Sequence, residues 1–200
     1  MPDTYFSEKA LRMARHHLTQ LQEAIYDTRP EHELLGFIDA PLLLALVWRE
    51  VRWSDTPAYR DRGPSKTPLN PLDNTGDAGH GHGIFQIDDR WHKDFIATGG
   101  AYYPYEAAKY VIVHVLAANY RVLHKNLPAL PHPWLIRATV ASYNCGAGNV
   151  RQALAGIDWT VIESWALWKR IDSRTANANY SQDVMSALPL WEKWYKEQLL

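Results

Sequence analysis

Gly76-Asp77-Ala78-Gly79-His80-Gly81-His82-Gly83-Ile84-Phe85-Gln86-Ile87-Asp88-Asp89-Arg90-Trp91-His92 is the stretch on which the reading of this chain turns. Four glycines within eight residues let the backbone come close to a ligand. No GK[ST] follows and no GxGxxG opens a helix, so the loop is not a nucleotide cradle. Ile84-Phe85-Gln86-Ile87 alternates weakly and predicts one short strand. Asp77 and Asp88 flank the loop and the strand. Two carboxylates brought near a third are the equipment of glycoside hydrolysis. The plainer alternative makes Asp77 a turn former and Asp88 a cap of the next element. His80 and His82 suggest a metal pair, but no cysteine or third clustered ligand accompanies them, so no metal is expected.

On either side of this stretch the pattern is helical. Upstream, Leu11, Ala14, Leu18, Leu21 and Ile25 recur at steps of three and four, which predicts a helix over 7–27. Thr28-Arg29-Pro30 ends it. A second helix starts after Asp39, with Pro41 in its first turn, and fades by Trp53. Ser54 to Gly83, with four prolines and five glycines, reads as an enlarged irregular loop. Downstream, 106–125 is apolar with little polar face and predicts a central buried helix. Further helices are expected from Pro133, over 147–154, over 161–171 and over 180–199, the last broken or kinked at Pro189. The fold class is therefore mainly α (α+β), with one small β element. Two hundred residues with no internal repeat fit a single domain, 1–200, whose residues 1–30 form an N-terminal helix.

Composition narrows the chemistry. Lys+Arg number 21 and Asp+Glu 22, a net charge of −1. No basic field favours nucleic acid or an anionic membrane surface. The longest apolar run, Ala40 to Trp48, is far too short to span a bilayer. Met1 to Phe6 has no cationic start followed by an apolar stretch, so no signal peptide is expected. Cys145 is the sole cysteine, which excludes an internal disulfide and a multi-thiolate zinc site. The chain carries 9 Trp, 11 Tyr and 4 Phe. A bulky core explains most of them, and rings with polar handles also suit a wet cleft.

Glu50 follows Leu43 and Val47 at steps of four and three, so it shares their helix face. A carboxyl set against apolar side chains is held protonated towards neutral pH, as a general acid must be. On spacing alone, a helix-end glutamate paired with Arg49 or Arg52 is the simpler reading. Ser142-Tyr143-Asn144-Cys145-Gly146-Ala147-Gly148 stops one helix and starts another. Tyr143 and Asn144 project from that break, where a phenol and an amide can hold a sugar amide. No histidine neighbours Cys145 in sequence, and a small buried thiol is expected there. His92, His114 and His132 are isolated and read as satisfied or exposed.

Taken in order, Trp48-Arg49-Glu50, then Gly76-Asp77 and Gly83 to Asp88 with Arg90 and His92, then Ser142-Tyr143-Asn144 through Val150, resemble the goose-type lysozymes. That group belongs with the lysozyme-like proteins that include soluble lytic transglycosylases. Asn179-Tyr180-Ser181-Gln182-Asp183-Val184 is similar to the family's late Asp-Tyr-x-Asn-Asp-Val segment, and the resemblance covers about 41–195. It implies a helical lysozyme-like domain with a small β-sheet beside the cleft. It implies Glu50 as general acid and Asp77 and Asp88 as the groups that position or activate water, with inversion. The backbone around Phe85 and Gln86, with His92, Tyr143, Asn144 and Tyr180, would line sugar subsites. The substrate implied is the β-1,4 bond between N-acetylmuramic acid and N-acetylglucosamine in peptidoglycan, with no cofactor. A protein inhibitor or immunity partner would fit such an activity, and a monomer is the expected state. Action on the cell wall would follow signal-independent release or injection, as for an endolysin or a secreted toxin.

This chain departs from the family pattern in three ways. Val51 stands where the family usually has Ser after the glutamate. Glu50 and Asp77 are 27 positions apart, because residues 54–75 are enlarged. The disulfides of the animal members are missing. The rival readings are a lytic transglycosylase using Glu50 alone, a chitinase, and a non-catalytic wall-binding module. The mass of the products separates the first, because an anhydro product is one water lighter. Sugar binding without turnover identifies the last.

Overall fold

A computed structural model of the chain describes residues 6–29, 35–51, 75–158, 161 and 163–200, with the backbone alone described at Lys9, Thr75 and Asp77. The enlarged loop over 54–74, together with Arg52 and Trp53, lies outside the described residues. The chain divides into two compact units, Met1–Val111 and Ile112–Leu200. The architecture is mainly α, with one small antiparallel sheet.

In the first unit, helix α1 (Glu8–Asp27) is opened by Ser7, whose Oγ accepts from the amide of Ala10 at 3.1 Å. Such a cap satisfies one of the donors left over at a helix start. Its buried row is Ala10, Met13, Ala14, Leu21 and Ala24. The predicted stripe is therefore shifted: Leu11, Leu18 and Ile25 lie half-buried at its edge. Small alanines at 10, 14 and 24 let neighbouring elements come close, so Leu11 and Leu18 flank the contact while Leu21 fills it. Helix α2 (Ala40–Val51) is capped by Asp39, whose carboxylate accepts from Leu42 N at 2.9 Å. Leu42, Leu43, Leu44, Ala45, Leu46 and Val47 are all buried, so α2 is apolar on every side, the mark of a core helix. Helix α1 packs against it.

The sheet has three two-residue strands in the order β1 (Thr75–Gly76), β2 (Gly81–His82), β3 (Ile87–Asp88). Gly76 faces Gly81, and Gly81 faces Asp88. The single strand expected over 84–87 is not formed: Ile84, Phe85 and Gln86 make the turn between β2 and β3. Phe85 and Ile84 are fully buried there, so their apolar character marks a turn tucked into the core. Helix α3 (Asp89–Ala97) leaves the sheet directly, a 3-10 turn covers Gly100–Tyr102, and helix α4 is Pro104–Tyr110. Helix α1 also packs against α4.

A π-helical segment, Val111–Ala117, follows α4 and leads into α5 (Ala118–Asn126). The helix predicted over 106–125 is thus longer than expected and changes its winding midway. Within α5 only Leu123 is buried. The second unit adds α6 (His132–Cys145), α7 (Ala147–Ala153), α8 (Ser164–Asp172) and α9 (Tyr180–Gln198). Leu123, Leu135, Ala138, Ala141, Val150, Leu167 and Ile171 belong to its core cluster. Helix α9 continues through Pro189, so that proline does not end it.

The polar centre of the second unit is Asp172, which is 0% exposed. Its carboxylate accepts from Ser181 N at 2.8 Å, Ser181 Oγ at 2.8 Å, Gln182 N at 3.1 Å and Trp168 Nε1 at 3.1 Å. Two of these donors are first-turn amides of α9, the end of a helix that favours negative charge. Arg137 approaches the same carboxylate at 4.0 Å, and its guanidinium lies over the rings of Trp134 and Trp168. Trp165 is exposed and donates to Glu163.

Candidate active site

Glu50 stands on the last turn of α2. It is half-buried, and Leu46 and Val47, one turn back, are fully buried. Residues three and four apart are neighbours on a helix surface, so the carboxyl shares a face with apolar core. The backbone of Asp77 opens a 3-10 segment, Asp77–Gly79, between β1 and β2. Its side chain lies outside the described residues.

Asp88 ends β3 and caps α3. Its Oδ1 accepts from Arg90 N at 2.8 Å and from Arg90 Nε at 2.9 Å, and its Oδ2 accepts from Arg90 Nε at 3.0 Å. The Arg90 hydrogen bonds hold the Asp88 carboxyl below the usual carboxylate range, against a smaller opposing push from burial. The capping role open to Asp88 from sequence is therefore real. The residue is also ionised and partly accessible, with 26% of its side chain exposed.

Gln86 adopts a left-handed backbone, φ 48°. A side chain larger than glycine is strained there. Its Nε2 donates to Gly83 O at 2.8 Å, and its backbone N donates to the same carbonyl at 3.1 Å. A Cβ at Gly76 or Gly81 would overlap Gln86 Oε1. The paired glycines of β1 and β2 are thus the space in which that amide sits. A Cβ at Gly83 would run into the backbone carbonyl of Ala101. Gly76, Gly81 and Gly83 thus serve close packing within the chain. Phe85 is 0% exposed, which leaves its backbone, and not its ring, to meet a ligand.

His92 lies within α3 at a non-helical φ/ψ, and its Nδ1 is 3.0 Å from Tyr110 Oη. Trp91, one residue earlier, is 81% exposed. His80 and His82 are joined through Asp89. His80 Nδ1 lies 2.8 Å from Asp89 Oδ1, and His82 Nε2 lies 3.3 Å from Asp89 Oδ2. Tyr102 Oη is 2.6 Å from His82 Nδ1. Among the described residues no group of three or more His, Cys, Asp or Glu is arranged to hold a metal ion.

The remaining predicted residues lie in the second unit. Tyr143 and Tyr180 are brought together as stacked rings, 6.2 Å between centroids and 10° between planes. Tyr180 is 1% exposed, so it backs Tyr143. Asn144, on the last turn of α6, accepts from Ala176 N at 2.7 Å through Oδ1. Cys145 donates weakly to Ala141 O, and burial pushes its thiol up to about 11. That agrees with an inert thiol. Spacing did not single out Asp89 or Arg90, although a doubled Asp followed by Arg at a strand end is a visible signal for a helix start with a paired cap.

The first unit thus carries an ionised carboxylate, Asp88, at the end of its small sheet and a half-buried glutamate, Glu50, on the last turn of a core helix. No family model matches the chain. Over 111 residues, 56% of the chain, it is 25% identical to Lysozyme g of Gallus gallus, covering 43% of that protein. It is 24% identical over 111 residues to Lysozyme g of Struthio camelus, covering 45% of that protein. The likeness to goose-type lysozyme is therefore distant, and the matched segment spans under half the length of each relative.

Proposed function

We propose that this chain is a peptidoglycan-cleaving glycosidase, a muramidase acting on the β-1,4 bond between N-acetylmuramic acid and N-acetylglucosamine in the cell wall. The similarity over 111 residues to two proteins named Lysozyme g carries this reading. The placement of Glu50 and Asp88 is compatible with it. Glu50, beside buried Leu46 and Val47, is the proton donor to the glycosidic oxygen. As the C–O bond breaks, the sugar becomes oxocarbenium-like, and a water held by Asp88 and Asp77 attacks the opposite face. Inversion of this kind places the acid carboxyl and the water-holding carboxyl about 6.5–9.5 Å apart, with the water between them. Tyr143, stiffened by Tyr180, and Asn144 are proposed as sugar-binding groups of the second unit.

Purified peptidoglycan digested by the wild type and by Glu50→Gln provides the test. Wild type is expected to release reducing-end muropeptides, and Glu50→Gln to lose at least about 100-fold in rate with an unchanged circular dichroism spectrum. Full activity in Glu50→Gln would falsify the assignment. Anhydro products from the wild type would replace hydrolysis by transglycosylation.

A further inference from the structure

His80, His82, Asp89 and Tyr102 form a connected polar chain that the proposed mechanism does not use. His80 lies in the turn between the 3-10 segment and β2, Asp89 opens α3, and Tyr102 closes the next 3-10 turn. The Asp89 carboxylate thus ties the start of α3 to the His80 turn and to β2, and Tyr102 joins the chain through His82. The backbone adds a further tie: Asp89 N donates to His80 O at 3.0 Å. Asp89 uses both oxygens, one for each imidazole. His82 is buried and held on its far nitrogen by Tyr102, so it fixes the carboxylate from behind. His80 is the outer member, with 43% of its side chain exposed. Its Nδ1 is committed to Asp89, and its Nε2 has no hydrogen-bond partner among the described residues.

An imidazole held by an anchored carboxylate through one nitrogen, with the other facing outward, is the arrangement of an oriented general base. The bond to Asp89 selects the tautomer with hydrogen on Nδ1, which leaves the Nε2 lone pair available. His80 is also close enough to Asp88 for its charge to act on that carboxyl. Asp88 itself is a weak proton acceptor, because the guanidinium and amide of Arg90 occupy both its oxygens. It can orient a water and carry negative charge, but taking a proton would break a fork of hydrogen bonds.

We propose that His80 is a further catalytic residue, accepting the proton of the attacking water through Nε2 while Asp89 orients the ring. The inference rests on the hydrolase reading above. In the step, one water O–H proton passes to His80 Nε2 and the water oxygen bonds to the anomeric carbon. The glycosidic C–O bond breaks, and its oxygen takes the Glu50 proton. The cycle ends with His80 cationic and Glu50 anionic, and solvent exchange restores both. The charged and titratable groups that reach His80 or its carboxylate partner are Asp89, Asp88 and, on the other oxygen of Asp89, His82.

Turnover of purified peptidoglycan between pH 4 and 9 by wild type, His80→Gln, His80→Ala and Asp89→Asn tests this. His80→Gln is expected to lower kcat about 10–100-fold with KM nearly unchanged, and to alter the pH profile of kcat. Added imidazole should restore part of the rate to His80→Ala, which a purely structural role would not allow. Asp89→Asn should lower kcat in the same direction. Histidine 15N shifts give a readout without turnover. The Nδ1–H tautomer is expected at His80 in the wild type, and an Nε2–H tautomer overturns the proposal. Wild-type kcat and pH profile in His80→Gln also overturn it while leaving the hydrolase reading intact. Wild-type turnover no greater than that of Glu50→Gln removes both.

Discussion

Two aspartates, each beside an arginine, show how differently one ion pair can be used. Asp172 is fully buried, and five neutral donors converge on it before Arg137 is reached at 4.0 Å. Asp88 is partly exposed, and Arg90 supplies each of its hydrogen bonds described above. The first carboxylate is spent on architecture, tying α8 to the start of α9. The second keeps one side towards water. An exposed pair adds little stability, whereas an unpaired buried charge is expensive. Loss of Asp172 should therefore appear in folding, and loss of Asp88 in rate.

The sharpest break of that comparison is Asp172→Ala. It leaves the first amides of α9 and Trp168 Nε1 without their acceptor and takes the counter-charge from Arg137, which keeps only its bonds to Ser181 Oγ and Gln182 Oε1, so unfolding free energy should fall by about 3–5 kcal/mol in a urea titration. A fall below about 1 kcal/mol would mean the network is not structural. Next is the double variant Asp77→Asn with Asp88→Asn. It should lower kcat by about 100-fold while the urea midpoint moves little; unchanged turnover would remove both from water positioning. The mildest is Arg90→Gln. The folded-state pKa of Asp88 is depressed, so the pair's contribution is present above the unfolded carboxylate pKa and is lost as pH falls through the folded value. Arg90→Gln should remove that acid-side dependence, shift the acid limb of activity upward and change stability at neutral pH by no more than about 1 kcal/mol. Thermal melts from pH 2 to 7 would show it.

Long periodic elements were legible in the residues. Ser7, Asp39 and the apolar run at 42–47 mark where α1 and α2 begin and what they bury. The break at Gly146 separates α6 from α7 as its small residues imply. The sheet was not legible, because two-residue strands carry no period. The alternation at 84–87 comes from a buried turn. The π-helical segment over 111–117 has no periodic signature distinct from its neighbours. Tryptophans were ambiguous for a related reason: Trp191 and Trp194 pack edge to face in the interior, whereas Trp91 and Trp165 stand in solvent. At the candidate site, the sequence offers Asp88 both as a water-positioning carboxylate and as a cap, and the cap is what the fold shows. What the residue does depends on Arg90, and the role of His80 depends on Asp89, because contact between side chains decides each.

The glycine pair around Gln86 also bears on how this hairpin tolerates change. Alanine at Gly76 or at Gly81 would evict the Gln86 amide, and an evicted amide gives up its bond to the Gly83 carbonyl. Replacing Gln86 alone would leave a vacancy above two bare backbones. Single-site scanning would therefore score all three positions as intolerant. Paired exchanges that move bulk from position 86 to position 81 would be the route by which the hairpin accepts a new sequence.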